Sequence, residues 1–406
     1  MRLAERVQDI GTETAFEAAA RARALEATGR DVIHLEIGEP DFDTPRNIRE
    51  AAKRALDDGW THYGPPLGLP ALRDAIAADA TTRKRFPVDA ENVVVTPGAK
   101  PIMFYALLAL TGPGDEVIYP DPGFPIYESM TRFTGATPVP IPLREEHEFR
   151  MDVDELRSLV TDRTRLIIFN SPHNPTGSVL TQDDLRAIAD LAIERDITVL
   201  ADEIYGRIVY EGEHHSIAAL PRMAERTILL DGFSKTWAMT GWRLGYAILP
   251  SPLVPVFSRL IINSVSCTSS HSQHAALEAL TGPQDDVDGM VEEFRARRQL
   301  IVDGLNAIPG IRCLRPHGAF YVFPNIAGTG ADGPALADRL LNEGGVAVLS
   351  GTAFGTVGRD HLRVSYANSR ENISRALERI AMVAASAPPE SAPAAAAGPA
   401  SVATRV

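Results

Sequence analysis

The chain has 406 residues, 45% hydrophobic and 23% charged, enough apolar material for a large buried core, which excludes disorder as its general state. Its formal net charge is −13, from 40 Lys+Arg against 53 Asp+Glu, so the global field repels nucleic acid and any bound phosphate must meet local positive groups. Cys267 and Cys313 are too few for a disulfide framework and lack the clustering of a metal site.

No apolar run reaches the roughly 18 residues of a membrane span, and residues 1–13 lack the apolar stretch of a secretory signal, so a cytoplasmic protein without membrane contact is expected. In chain order, helices are predicted over 70–82, 100–110 and 182–195, each opened or closed by Pro, Gly, Thr or Asp. Strands are predicted over 92–96, 116–119, 166–170, 198–201 and 227–230. That alternation predicts βαβ crossovers and an α/β fold with a mainly parallel sheet.

After about residue 285 the texture changes. A long charged helix over 286–307, strands over 318–323 and 346–349, and a helix over 371–384 predict a smaller α+β domain. Residues 386–406, dominated by Ala, Pro and Ser, bury too little to offset their ordering entropy and are expected to form a disordered tail. Internal repeats and coiled-coil heptads are absent from the sequence.

Four segments at predicted strand ends carry candidate chemistry. Gly98-Ala99-Lys100 turns from a strand into a helix, so backbone N–H groups and the helix dipole face any phosphate there; an ordinary helix start reads the same way. Asn174, in Asn170-Ser-Pro-His-Asn174-Pro-Thr-Gly177, is an amide fixed by the following proline, in an irregular loop or as a hydrogen-bonding group. Asp202, in Asp202-Glu-Ile-Tyr205, is an acid ending a buried strand, where either an ion pair or a pyridinium N–H would offset its cost. Lys235, in Ser234-Lys235, follows another apolar strand and reads either as a surface lysine or as an amine nucleophile, with Arg243 eight residues on as a permanent charge for phosphate.

These motifs stand in order with Gly38-Glu-Pro-Asp-Phe-Asp-Thr-Pro45, Tyr63-Gly-Pro-Pro-Leu-Gly68 and Arg363-Val-Ser-Tyr366. Over about residues 11–384 the chain resembles fold-type-I pyridoxal 5'-phosphate (PLP) enzymes of the class-I aminotransferase family, most similar to bacterial aspartate aminotransferases of broad specificity. The resemblance implies a three-layer α/β fold. It also implies an N-terminal arm and part of the small domain in 1–45, a large PLP-binding domain over 46–285, a small C-terminal domain over 286–385 and the tail over 386–406.

Residue by residue, the resemblance implies that Lys235 holds PLP as a Schiff base and that Asp202 pairs with the pyridine nitrogen. Asn174 and Tyr205 would hydrogen-bond the phenolic oxygen, and Phe124 would pack on the ring, where a core phenylalanine is the competing reading. The phosphate would meet Gly98, Ala99, Lys100, Ser234 and Arg243, with Tyr63 reaching over from a second subunit of a homodimer with shared sites. Arg363 would grip the substrate α-carboxylate, supported by the Gly38 backbone and Asn174, and Lys100 would favour an aspartate- or glutamate-like donor. His271 and His274 begin a helix that in the family runs near the substrate entrance.

The implied reaction is ping-pong transfer of an amino group from an L-amino acid to a 2-oxo acid, with Lys235 as proton carrier. Elimination, replacement or oxidation on the same scaffold is the alternative, because fold and cofactor do not decide which bond breaks.

Overall fold

Runs of Val, Ile and Leu too apolar to leave either face wet become strands buried on both sides. The computed structural model describes residues 3–7 and 10–386; the tail expected beyond Ser386 lies outside them. In chain order the strands are β1 (Ile33–His34), β2 (Val93–Thr96), β3 (Glu116–Asp121), β4 (Thr137–Pro142), β5 (Thr164–Asn170) and β6 (Thr198–Asp202). Then follow β7 (Thr227–Gly232), β8 (Gly245–Ile248), β9 (Tyr321–Val322), β10 (Val346–Ala347), β11 (Leu349–Ser350) and β12 (Leu362–Ser365).

Seven of them form the central sheet, in the order β2-β8-β7-β6-β5-β3-β4. Pairing is parallel from β7 through β6, β5 and β3 to β4, whereas β8 runs antiparallel between β2 and β7. Neighbouring residues point to opposite faces, as the strand period of two requires. Ile168 and Leu200 pack in one core with Ile102, Met103 and Leu107 of helix Lys100–Leu110. Ile167 and Val199 pack in another with Leu185 and Ile188 of helix Gln182–Glu194. Helices therefore cover both faces, giving the three layers.

Two strands of this sheet were not among those predicted. β4 carries Pro138, Pro140 and Pro142, which argue against a central strand; it is an edge strand paired only with β3, where missing N–H donors are tolerated. β8 is a four-residue strand that opens on a glycine. The strand expected over 318–323 is confined to β9, and that over 346–349 divides into β10 and β11, which pair in different sheets. β10 pairs parallel with β1, tying the N-terminal region to the C-terminal one, while β11, β12 and β9 form an antiparallel sheet.

Beneath the C-terminal ends of β6 and β7 lies a buried ionic cluster. Lys84 Nζ, at the end of helix Pro70–Lys84, donates to Glu203 Oε2 at 2.7 Å and sits 2.9 Å from Asp231 Oδ2. Ser216 Oγ donates to Glu203 Oε1 at 2.6 Å, and His214 Nε2 lies 3.0 Å from Oε2. Burial alone would raise the Glu203 pKa, but Lys84 and His214 hold it down to about 2. The cluster joins the segments carrying Asp202 and Lys235 to the end of helix Pro70–Lys84, and breaking one buried partner would leave the others uncompensated. Among the described residues, no helix is long and apolar enough to cross a membrane.

Candidate active site

Parallel strands β5, β6 and β7 end at Asn170, Asp202 and Gly232, and the crevice beyond such ends is where open α/β sheets bind ligands. A cavity of about 540 Å³ opens there. Its wall brings together Gly38, Ala99, Lys100, Phe124 and Asn174 with Asp202, Tyr205, Ser234, Lys235, Arg243 and Arg363, residues spread over more than 300 positions of sequence.

Asp202 ends β6 and is buried. Tyr127 Oη donates to its Oδ2 at 2.7 Å and the Ile204 amide to its Oδ1 at 3.2 Å. Burial nevertheless raises its pKa to about 6, since those two donors do not replace lost water and no cation pairs with it among the described residues. Asn170 Nδ2 donates to the Asp202 carbonyl at 2.8 Å, and Asn170 Oδ1 accepts from the Asn174 amide at 2.7 Å, so one side chain joins the two loops. Tyr205 Oη lies 2.8 Å from Tyr321 Oη, with its phenol pKa raised by burial.

Lys235 Nζ donates to the Gly38 carbonyl at 2.5 Å and makes no ion pair among the described residues. Burial pushes its pKa down to about 8, against a weaker upward pull from Glu39. At pH 7 about one such amine in ten is neutral, against about one in 3,000 for an ordinary lysine, so it is a ready nucleophile. The sign follows: the neutral fraction, and with it the rate at which cofactor-free protein captures an aldehyde, rises with pH and levels off above about 8. Stopped-flow absorbance against pH checks this; a rate still climbing tenfold per pH unit at pH 9.5 would show an ordinary lysine.

At the other end of the cavity Arg243, in the left-handed region at φ 55°, donates from Nη1 to the Thr240 carbonyl at 2.8 Å. Its guanidinium fills the space a Cβ on Gly98 would need, and Gly98 itself has φ 90°. Gly245 brings β8 equally close to the Gly98–Ala99 backbone, which a side chain would block. Gly98 thus acts by letting the arginine in, and does not itself line the cavity. Helix Lys100–Leu110 begins at this end, and the positive end of its dipole favours an anion.

Arg363, on β12, is buried and lies between the rings of Tyr321 at 4.7 Å and Phe354 at 5.0 Å. Its Nη2 donates to the Glu36 carbonyl and its Nη1 is 3.4 Å from Asn174 Oδ1, while its Nε has no partner among the described residues. The carbonyl that orients the guanidinium is that of Glu36, while the Gly38 carbonyl accepts from Lys235 and Gly38 lines the same cavity.

Lys100 is half-exposed and paired with Glu13; its Nζ lies 5.7 Å from the Phe124 ring and 5.8 Å from that of Phe16. Tyr63 is 90% exposed and does not line this cavity. Neither does His271 or His274. His274 packs on Trp60 with ring centroids 4.3 Å apart, and His271 stays at the helix start beside Ser269.

Tyr127, Tyr321, Asn170 and Glu13 were not singled out from the sequence, although Tyr127 lies in the same segment as Phe124. Tyr127, Tyr321 and Glu13 act through partners far away in sequence, and Asn170 joins nearby Asn174 to distant Asp202, so no local pattern marks them. Together the wall offers a buried acid without a cation among the described residues, a half-buried amine without an acid and an arginine beside a helix start. That set fits a ring bearing a basic nitrogen, an aldehyde and a phosphate.

The comparisons agree with that chemistry. A profile of the family "Aminotransferase class I and II" matches residues 30–380. An aspartate aminotransferase of Pyrococcus horikoshii is 43% identical over 380 residues, 93% of this chain and 96% of the relative. An aromatic-amino-acid aminotransferase of Thermococcus litoralis is 39% identical, covering 94% of this chain and 98% of its own. The solved structure of an aspartate aminotransferase from Thermus thermophilus with maleate superposes with a TM-score of 0.91 at 40% identity, covering 94% of this chain and all of that one.

Proposed function

The chain belongs to the aminotransferase class I and II family and is a PLP-dependent aminotransferase; from that premise we propose which residues carry the transfer and which donors they take. One observation carries the assignment. Lys235 and Asp202, a half-buried amine and a buried acid, open on one cavity with no ion-pair partner for either among the described residues.

When bound, PLP supplies an electron sink that makes the α-proton of an attached amino acid removable. Asp202 would hold the charge on the ring nitrogen, Tyr205 and Asn174 the phenolic oxygen, and Phe124 would pack against the ring. Ser234, Arg243 and the amides of Ala99 and Lys100 would hold the phosphate. Arg363 grips the α-carboxylate through a planar fork, in a pocket where Tyr321 and Phe354 exclude water from its faces. Lys235, with its lowered pKa, would take the α-proton as a neutral amine and deliver it to the cofactor's aldehyde carbon.

Lys100 supports an acidic amino acid as one donor, and the Thermus relative with bound maleate, a dicarboxylate, supports the same reading. The two curated relatives are named for aspartate and for aromatic amino acids, so a second, non-acidic substrate belongs to the proposal. Tyr63 is exposed and does not line its own cavity, which supports a homodimer in which it reaches the partner's phosphate. A cytoplasmic enzyme with a large PLP-binding domain over 46–285 and a smaller one from 286–385 and part of 1–45 completes the reading; the pairing of β1 with β10 supports that division.

The test is incubation of the purified enzyme and PLP with single amino acids and 2-oxoglutarate. Glutamate and the matching oxo acid should appear together, fastest with an acidic donor. A donor consumed without glutamate formation would point to elimination or oxidation and overturn the reading.

A further inference from the structure

The cation of Lys100, placed to meet a distal substrate carboxylate, already has a carboxylate on it. Glu13 pairs with it from the residue preceding helix Thr14–Glu26. Glu13 makes no side-chain cap bond to its own helix, so its carboxylate is committed to Lys100. Its side chain is only 17% exposed, and Glu13 itself lines the cavity together with Thr14, Ala15 and Phe16. The contact thus lies on the wall that a substrate side chain must touch.

We infer that Glu13 is a built-in substitute for the distal carboxylate of an acidic substrate, so that Lys100 exchanges one carboxylate for the other and one pocket serves acidic and non-acidic side chains in turn. The inference rests on the aminotransferase reading above. A ping-pong enzyme passes donor and acceptor through one cavity, and their side chains need not carry the same charge. A fixed unpaired lysine would reject an apolar side chain, since it would lose water without gaining a partner. With Glu13 in place the charge is compensated, and Phe16 and Phe124 beside the ammonium offer an apolar surface. An acidic side chain brings its own carboxylate; two carboxylates on one ammonium repel, and Glu13 yields to solvent.

Exchange has a cost that a variant exposes. Lys100 is 46% exposed, so the resident pair is a half-screened one and its release is a modest penalty on every acidic ligand. Calorimetric titration of the PLP-loaded enzyme with succinate and with 3-phenylpropanoate reads this directly. Glu13→Gln should bind succinate about fivefold more tightly, and 3-phenylpropanoate no more tightly than wild type does. In the Lys100→Met background the same substitution should change succinate binding by less than about twofold, because no cation is left to release.

Unchanged or weaker succinate binding by Glu13→Gln overturns the inference. So does equal tightening for both ligands, or tightening that persists without Lys100, since either would reflect net charge alone. These outcomes in an enzyme that still transfers amino groups sink the exchange and spare the function. A wild-type enzyme that transfers none sinks both.

Discussion

Lys235→Ala is expected to lower turnover by at least about 10³-fold with every donor, the loss typical of removing a positioned general base, compounded by loss of the covalent nucleophile. Steady-state rates of glutamate formation read it. The fold should survive, because the wild-type lysine is a burden at neutral pH. Its pKa is about 8 in the folded chain against 10.5 in the ordinary state, so burial opposes its charged form below the higher value, and alanine removes that cost. A thermal midpoint of the cofactor-free protein equal to or above that of cofactor-free wild type, together with the lost turnover, is the expected pair. Equal turnover would remove Lys235 from the mechanism; lost turnover with a collapsed midpoint would make it a structural residue.

Arg363→Lys carries the second large effect. A lysine keeps the charge and loses the fork, and from β12 its single ammonium cannot both donate to the Glu36 carbonyl and offer two parallel N–H bonds to a carboxylate. The guanidinium is also flat between Tyr321 and Phe354, a slot that fits a plane better than a tetrahedral head. The expected fall in kcat/KM is about a hundredfold or more, the range found when one partner of a desolvated charge pair is altered. Because the α-carboxylate is common to all substrates, acidic and non-acidic donors should fall alike. A loss confined to acidic donors would move Arg363 to the distal end of the substrate.

The legible part of this site consists of residues that sit at the ends of strands. The runs before Gly98, Asn170, Asp202 and Asp231 are apolar enough to read as buried strands, and glycine, proline or an acid marks where each stops. The α/β architecture followed from those runs, and the family match agrees with it. The edge strand β4 escaped because its prolines speak against a strand unless one knows that its outer side has no neighbour. Tyr321 was equally hidden. It reads as one more strand aromatic, and only the pairing of β9 with β12 sets its ring on Arg363 and its hydroxyl against Tyr205.

Lys84 shows the same limit from the other side. In sequence it lies two residues beyond the helix predicted over 70–82, and nothing local says that it is buried against Glu203 and Asp231. Glu13, directly before helix Thr14–Glu26, stands on Lys100, a partner 87 positions away. Long-range ionic partners are decided by which elements stack, and a helix or strand pattern gives the face of a residue without the identity of its neighbour.

Reduction of the PLP-loaded protein with borohydride, followed by peptide mapping by mass spectrometry, tests the central claim most directly. A single pyridoxyl adduct on Lys235 is the predicted result. An adduct on Lys100, Lys84 or Lys53 in its place, or none in a protein that retains its cofactor, would contradict the account.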